Sequence, residues 1–406
     1  MRPFRYFALT LALVLQATLA AAQDFDTRAR AAFVYDTTTN TVLMAKNADE
    51  PLPPASMSKL MTLYMAFEAI ADGRLSIDTV LPVSDHAASY GGSSMFLTTQ
   101  DRVRVEDLLR GVIVLSGNDA SAVLAEGIAG TERAFAQMMT ERARQLGMDN
   151  STFQNSNGWP AAGHLMSVRD LGILADHLIT DFPTFYPLFA EEEFEFDGRV
   201  PANSQNRNPL LDLGIGADGL KTGHTQEAGY GLTGSAKQGD RRIIFVLTGL
   251  DSTAARAEES ERLVNWAFRQ FAQKDVARAG TRIAEADVWM GAAPRVGLTV
   301  AEDLSLLVPV LNRGGVEAEA VFDAPVTAPV AAGDRLGELV INLDGLPETR
   351  VPLVAESAVG PGGFGVRLRT AAQVVLGKVM PAADVPADAA PADTGEEADA
   401  ADDDAA

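Results

Sequence analysis

The sequence contains no cysteine. That excludes disulfides, thiolate catalysis and cysteine-ligated metals, and it names no compartment by itself. Histidine is scarce. His86, His164, His177 and His224 are the whole set, and they are too scattered along the chain to suggest a ligand cluster. Positive charge is also short: 33 Lys and Arg stand against 55 Asp and Glu, for a formal net charge of −22. Nothing basic is clustered to neutralise phosphates, which argues against a nucleic-acid partner. No internal repeat stands out.

What is present bounds the answer further. The chain has 406 residues, of which 47% are hydrophobic. That is enough for two or three domains with real cores. At the N-terminus, Arg2 and Arg5 precede an apolar run from Phe7 to Leu19, and Ala20-Ala21-Ala22 then leads into polar Gln23-Asp24. This is the layout of a secretory signal peptide over residues 1–22. The run is short for a membrane span, so cleavage is preferred to an uncleaved anchor. The mature chain is expected to work outside the cytoplasm, in the periplasm.

Ala31–Tyr35 and Thr41–Ala45, joined by Asp36-Thr37-Thr38-Thr39-Asn40, read as a hairpin. The stretch that organises the rest is Pro53-Pro54-Ala55-Ser56-Met57-Ser58-Lys59, followed by an apolar run from Leu60 to Ile70. Proline suits the approach to a helix, which places Ser56 at or just inside a helix N-terminus. Lys59, three residues on, then lies on the same face as Ser56. The helix is apolar almost all round and is predicted to be buried, with Gly73 as a stop. Helices are predicted over Val105–Leu115, Asp119–Ile128, Glu132–Leu146, Ser167–Leu178 and Thr253–Phe271, and strands over Tyr230–Ala236 and Arg242–Leu250. Strands at both ends with helices between predict an α+β catalytic domain, residues 23–275, whose antiparallel sheet is flanked by helices.

From about residue 276 the texture changes to short valine-rich runs punctuated by Gly and Pro, such as Leu306–Val310 and Leu339–Ile341. Residues 276–362 read as a small C-terminal all-β domain. Residues 363–380 carry Phe364, Val366, Leu368 and Val374 beside Arg367, Arg369 and Lys378. They read as a basic amphipathic helix that anchors the chain on an anionic membrane surface, a reading that position and charge favour over an ordinary helix docked on the β domain. Residues 381–406 are an acidic tail of Ala, Pro, Asp and Glu with few exceptions, a composition expected to be disordered.

Three short motifs carry chemistry. Ser56-x-x-Lys59 sets a hydroxyl beside an amine, although a Ser-x-x-Lys also fits a helix cap with a solvated lysine. Ser116-Gly117-Asn118 after an apolar helix suits a buried turn that points a hydroxyl and a carboxamide into a cleft; a simple Asx turn would have the same residues. Lys221-Thr222-Gly223-His224 before the Tyr230 run suits a strand edge along which an extended substrate can lie, and also an exposed turn.

Taken together and in this order, the three motifs match the Ser-x-x-Lys, Ser-Asp-Asn and Lys-Thr-Gly set of class A β-lactamases and penicillin-binding proteins, except that Gly117 stands where that set has aspartate. The chain resembles the serine-type D-alanyl-D-alanine carboxypeptidases, the low-molecular-mass penicillin-binding proteins. Ser93-Ser94-Met95-Phe96-Leu97, Asn206-Arg207-Asn208, Gly229-Tyr230 and Arg256 extend the likeness across roughly residues 26–380. The resemblance implies a β-lactamase/transpeptidase-like fold and no metal or cofactor. It implies Ser56 as acylated nucleophile, Lys59 as its base, Ser116 as proton shuttle and Asn118 as holder of the substrate peptide. It assigns Lys221, Thr222 and Arg256 to the substrate carboxylate. Gly223 belongs to the substrate-binding strand, and the backbone N–H groups of Ser56 and His224 would form the oxyanion hole. The expected partners are peptidoglycan stem peptides and β-lactams.

The same first residues serve β-lactamases, but those deacylate with a glutamate-held water. Between Leu146 and Ser167 there is Asp149 and no glutamate. A wall-binding protein with a vestigial site is disfavoured because every expected polar residue is present. Cleavage of wall crosslinks as a side activity stays open.

Overall fold

The computed structural model describes residues 25–310, 317–343, 346, 348–366 and 368. The expected signal peptide, residues 369–380 and the acidic tail lie outside them. The described chain divides into two compact units. The first runs through Ala279 and includes Glu302–Glu319 and Leu339–Val351; the second comprises Gly280–Ala301, Ala320–Glu338 and the described residues from Pro352 onward.

The first unit begins with the predicted hairpin, β1 (Ala31–Asp36) and β2 (Thr41–Lys46). Asp36 closes its turn by accepting the N–H groups of Thr38 and Thr39 at 3.1 and 2.9 Å. After the two prolines comes a single 3-10 turn, Ala55–Ser58, and then helix α1 (Lys59–Ala71). Ser56 therefore sits in the 3-10 turn, one step ahead of the α-helix rather than within it. Gly73 follows the helix end with φ +73°, as its role as a stop requires.

Strand β3 (Val80–Pro82), helix α2 (Asp85–Ala88) and strand β4 (Arg102–Arg104) come next; β3 pairs with β4, and Leu81, Ala87 and Val103 join the core that holds α1. Helices α3 (Val105–Ile113), α4 (Asn118–Ala129), α5 (Glu132–Gln145) and α6 (Val168–Asp181) follow the predicted order. Thr131 and Ser167 cap α5 and α6, each accepting the N–H three residues on. Then come β5 (Ala217–Thr225), β6 (Gly229–Gln238), β7 (Arg241–Leu250) and α7 (Thr253–Gln270).

The principal sheet is five-stranded and antiparallel in the order β2-β1-β7-β6-β5. Its two faces follow the period of two along each strand. Phe33, Ile244 and Val246 face the core that holds Leu60, Leu63 and Phe67 of α1. Ala32, Val34, Ile243, Phe245 and Leu247 face the core that holds Leu263, Val264 and Ala267 of α7. Because β5 is an edge strand, its outer side is open to pair with something else.

The remaining strands are β8 (Phe271–Ala277), β9 (Arg282–Trp289), β10 (Arg295–Val300), β11 (Leu304–Pro309), β12 (Glu317–Phe322), β13 (Val326–Thr327), β14 (Arg335–Asn342) and β15 (Thr349–Ala355). β8 pairs with β11, and the others form a six-stranded sheet in the order β12-β14-β15-β10-β9-β13. The expected α+β architecture with a C-terminal all-β domain is therefore present. The final described residues, 364–366 and 368, are helical.

Candidate active site

The 3-10 turn and the start of α1 put the Lys59 Nζ 2.9 Å from Ser56 Oγ. Lys59 is wholly buried, although it is a lysine at the first position of a helix. Its amine also reaches Asn118 Oδ1 at 2.7 Å and the Asn157 carbonyl at 2.6 Å. A neutral amine satisfies all three contacts. Its two N–H groups donate to the two carbonyl oxygens, and its lone pair is left for the Ser56 hydroxyl proton. Burial pushes the Lys59 pKa well below the ordinary lysine value, helped by the charges of Lys221 and Arg207 and opposed by Asp119 and Glu132.

Ser116 is the hinge between α3 and α4. It is buried and holds φ +60°, a left-handed conformation that is uncommon for a residue with a side chain. The reversal lets α4 begin at Asn118, with its carboxamide turned inward. Asn118 Oδ1 accepts from Lys59, and Nδ2 donates to the Gly91 carbonyl at 2.8 Å.

Lys221, Thr222 and Gly223 lie in the middle of β5 and are buried, so the exposed-turn reading is excluded. Gly223 is required by close approach. A Cβ there would stand 2.9 Å from the Pro54 carbonyl oxygen and 3.0 Å from Met57 Cγ. Across the strand pair, Gly231 faces Gly223, and a Cβ on Gly231 would stand 2.7 Å from Met57 Cε. Two glycines on adjacent strands thus let the Ser56 turn seat Met57 against the sheet. Sequence reasoning identified Gly223 and missed Gly231.

Burial pushes the Lys221 pKa down to about 7, with the charges of Arg207 and Arg256 adding to the effect. Arg256, in the first turns of α7, is 7% exposed; its Nη2 donates to the Arg207 carbonyl at 3.2 Å and its buried Nε has no partner. Three cations packed together with an unused N–H donor suit an anionic group of a ligand. Arg207 is the cation of this group to which the sequence reading gave no role. The His224 ring lies outside this network, exposed and stacked on Tyr230 at 3.9 Å. Beside the Ser56 turn, a cleft of about 420 Å³ is lined by Pro54, Ala55, Trp159, His164, Thr225 and Glu227 among others.

The structure brings Ser56, Lys59 and Asn118 together by hydrogen bonds, with Ser116 two residues before Asn118. Lys221, Thr222 and Gly223 lie buried side by side in β5, with Arg256 of α7 near Lys221, and the His224 ring lies outside both groups. Asn157 is the contributor that sequence could not reveal, because it acts through its carbonyl and a backbone carbonyl leaves no mark on residue type.

A sheet packed between helices, with a serine and a buried lysine at its edge strand, defines a serine enzyme of the penicillin-binding, transpeptidase-like class. A family profile for D-alanyl-D-alanine carboxypeptidase matches residues 17–252, and one for the C-terminal domain of penicillin-binding protein 5 matches residues 271–361. The chain belongs to the D-alanyl-D-alanine carboxypeptidase family. It is 36% identical over 343 residues to the D-alanyl-D-alanine carboxypeptidase DacD of Escherichia coli K12, covering 82% of this chain and 88% of that one. Penicillin-binding protein 5 of Haemophilus influenzae superposes with a TM-score of 0.72 at 33% identity, over 83% of this chain and 98% of its own. Penicillin-binding protein D2 of Listeria monocytogenes, solved with ampicillin bound, gives 0.55 at 31% identity over 60% of this chain and 98% of its own.

Proposed function

We propose that this protein removes the terminal D-alanine from peptidoglycan pentapeptides through an acyl-enzyme on Ser56, and that penicillins acylate the same serine. The observation that carries the reading is the buried Lys59 amine, 2.9 Å from Ser56 Oγ and held by two carbonyl oxygens. Ser56 Oγ attacks the carbonyl of the penultimate D-alanine while its proton passes to Lys59. Ser116 relays a proton to the departing amine of the terminal D-alanine, and the C–N bond breaks. Water then hydrolyses the ester and frees Ser56. Asn118 holds the substrate's peptide group. Lys221, Thr222 and Arg256 receive its carboxylate, and the N–H groups of Ser56 and His224 face the developing oxyanion. Each such donor is worth roughly 2.7–4 kcal/mol in the transition state of other hydrolases. β-Lactams enter because they imitate the D-Ala-D-Ala end. The related Listeria protein, whose structures contain ampicillin and cefotaxime, supports this.

The test is D-alanine release from diacetyl-Lys-D-Ala-D-Ala, read beside the lifetime of a penicillin adduct by mass spectrometry. Release together with a long-lived adduct supports the reading. Rapid penicillin turnover without release would replace it with a lactamase.

The Lys221 pKa of about 7 gives a second expected result. In the free enzyme Lys221 is charged below that pH and loses its charge above it. The substrate carboxylate therefore loses a cationic partner as pH rises, and kcat/KM should fall along an alkaline limb that starts near pH 7. In the bound state the carboxylate favours the charged lysine, so kcat alone should hold to higher pH. Lys221→Arg, which stays charged throughout, should be slower but lack the alkaline limb. An unchanged limb in that variant would assign it to another group.

We also infer an address: export by residues 1–22 to the periplasm, with residues 363–380 lying on the outer face of the inner membrane. Support comes from the exposed apolar side chains of Phe364 and Leu368, 82% and 61% accessible, next to Arg367 and Arg369. Among the described residues no helix is long and apolar enough to cross a membrane. Basic residues near anionic lipid contribute about 1 kcal/mol each, which the acidic tail opposes. Deleting residues 381–406 should strengthen co-sedimentation with anionic liposomes; unchanged binding would count against this placement.

A further inference from the structure

Glu132 is a buried carboxylate for which the reaction has no obvious use. It is the first residue of α5 and 6% exposed. Its Oε1 accepts from Ser156 N at 2.9 Å and Ser156 Oγ at 2.5 Å. Its Oε2 accepts from Tyr90 OH at 2.7 Å and meets His86 Nε2 at 2.6 Å. Burial alone would raise its pKa. The hydrogen bonds from Ser156, His86 and Tyr90 outweigh that and hold it below the usual glutamate value, so the group is charged at neutral pH.

The segment that Glu132 ties down is the back wall of the Ser56–Lys59 pair. Ser156 O accepts from Thr62 Oγ1 of α1 at 2.5 Å. The next carbonyl, that of Asn157, receives Lys59 Nζ at 2.6 Å. The next residue, Gly158, is pressed against the Ala55 carbonyl. Thus one carboxylate anchors the loop between α5 and α6 at the point where that loop grips the amine. The charged and titratable groups that face Lys59 are few. They are Lys221 on β5, Arg207 in the segment before it, Asp119 on α4, Glu132 on α5 and His164 in the loop. Burial holds His164 neutral down to about pH 4. Asp119 is already committed to the Ser94–Leu97 loop and its own helix start, accepting from Ser94 Oγ and from the N–H groups of Met95, Leu97 and Ala120.

We propose that Glu132 is a positioning residue for Lys59. Its carboxylate fixes the Asn157 carbonyl against the amine and, beside Asp119, adds a second buried negative charge that supports the amine's basicity. The proposal rests on Lys59 being the base for Ser56. Without Glu132 the amine would face only cations and Asp119, and it would give up its proton at lower pH and be a weaker base.

The test measures the acylation rate of the full chain by a fluorescent penicillin from pH 5 to pH 10. In Glu132→Gln the acid limb should move to lower pH, and the plateau should fall about 3- to 10-fold. Ser156→Ala keeps the charge and loses one hydrogen bond, so its plateau should fall with the limb in place. Glu126→Gln, which changes a carboxylate bonded to Ser84 Oγ, should leave the profile as it was. A limb that stays put in Glu132→Gln, whatever happens to the plateau, overturns the electrostatic role. If Glu132→Gln does not fold, Ser156→Ala decides the positioning role, and an unchanged plateau there overturns it. Lys59→Ala separates the two readings. If that variant acylates with the parent's rate and profile, the assignment of Lys59 fails; if it is inert while Glu132→Gln matches the parent, only the present proposal does.

Discussion

Ser56→Ala should leave no penicillin adduct on the protein and should cut D-alanine release at least about a thousandfold. The reason is structural. Ser56 Oγ is the hydroxyl on which the Lys59 lone pair bears, at 2.9 Å. Its neighbour in the turn, Ser58, is fully buried, and its Oγ lacks a hydrogen-bond partner, so it cannot take over. Removing one oxygen costs little packing, and the fold should survive; the urea midpoint should stay close to the parent's. Rates above the uncatalysed reaction can persist because the donors and cations around the substrate remain. Mass spectrometry of the mature chain after incubation with a penicillin reads the first outcome, and a D-alanine assay reads the second. An adduct that survives on Ser56→Ala would move the nucleophile elsewhere and dissolve the mechanism.

Gly158→Ala should be nearly as damaging, by a different route. Gly158 holds φ +78°, and a Cβ there would lie 1.9 Å from the Ala55 carbonyl oxygen and 2.7 Å from Ser58 Oγ. The first obstacle is backbone of the turn that carries Ser56, so relief requires the loop and the turn to part. Parting them draws the Asn157 carbonyl away from Lys59. The expected cost is about 2–4 kcal/mol of stability and roughly a hundredfold in acylation, since misplacement of a reacting group by an ångström is that expensive. Gly147→Ala is the matched control. It has φ +80° with nothing within 4 Å of its Cβ, so only the backbone term remains, about 1–2 kcal/mol, with acylation unaffected. If the two variants acylate alike, the contact with Ala55 does not hold the site together.

Local signals served well where local physics rules. The hairpin at Asp36, the helix start at Ser167 and the apolar run of α1 were all readable, because turn chemistry, capping and periodicity act over a few residues. Weak or distant signals failed. β8 has exposed side chains at five of its seven positions and pairs with β11, whose partners lie some thirty residues on, so it shows no alternation. β15 contains Pro352, which reads as a breaker. α2 and β4 are too short to register a period.

The site divides in the same way. Ser-x-x-Lys is legible because three residues on a helical path bring two side chains to one face, and that geometry holds before any tertiary contact forms. The order of the three motifs carried the family. The sequence alone could not show that Lys59 would lose access to water completely. Its depressed pKa needs the sheet, α4 and the Ser156–Gly158 loop to close over it, with Lys221 brought from 162 positions away. Nor could it show that Glu132, on a fourth element, would anchor that loop. Residue type and spacing determine which groups can react. Desolvation and the sum of the surrounding charges decide which protonation state they hold, and both exist only once the chain has packed.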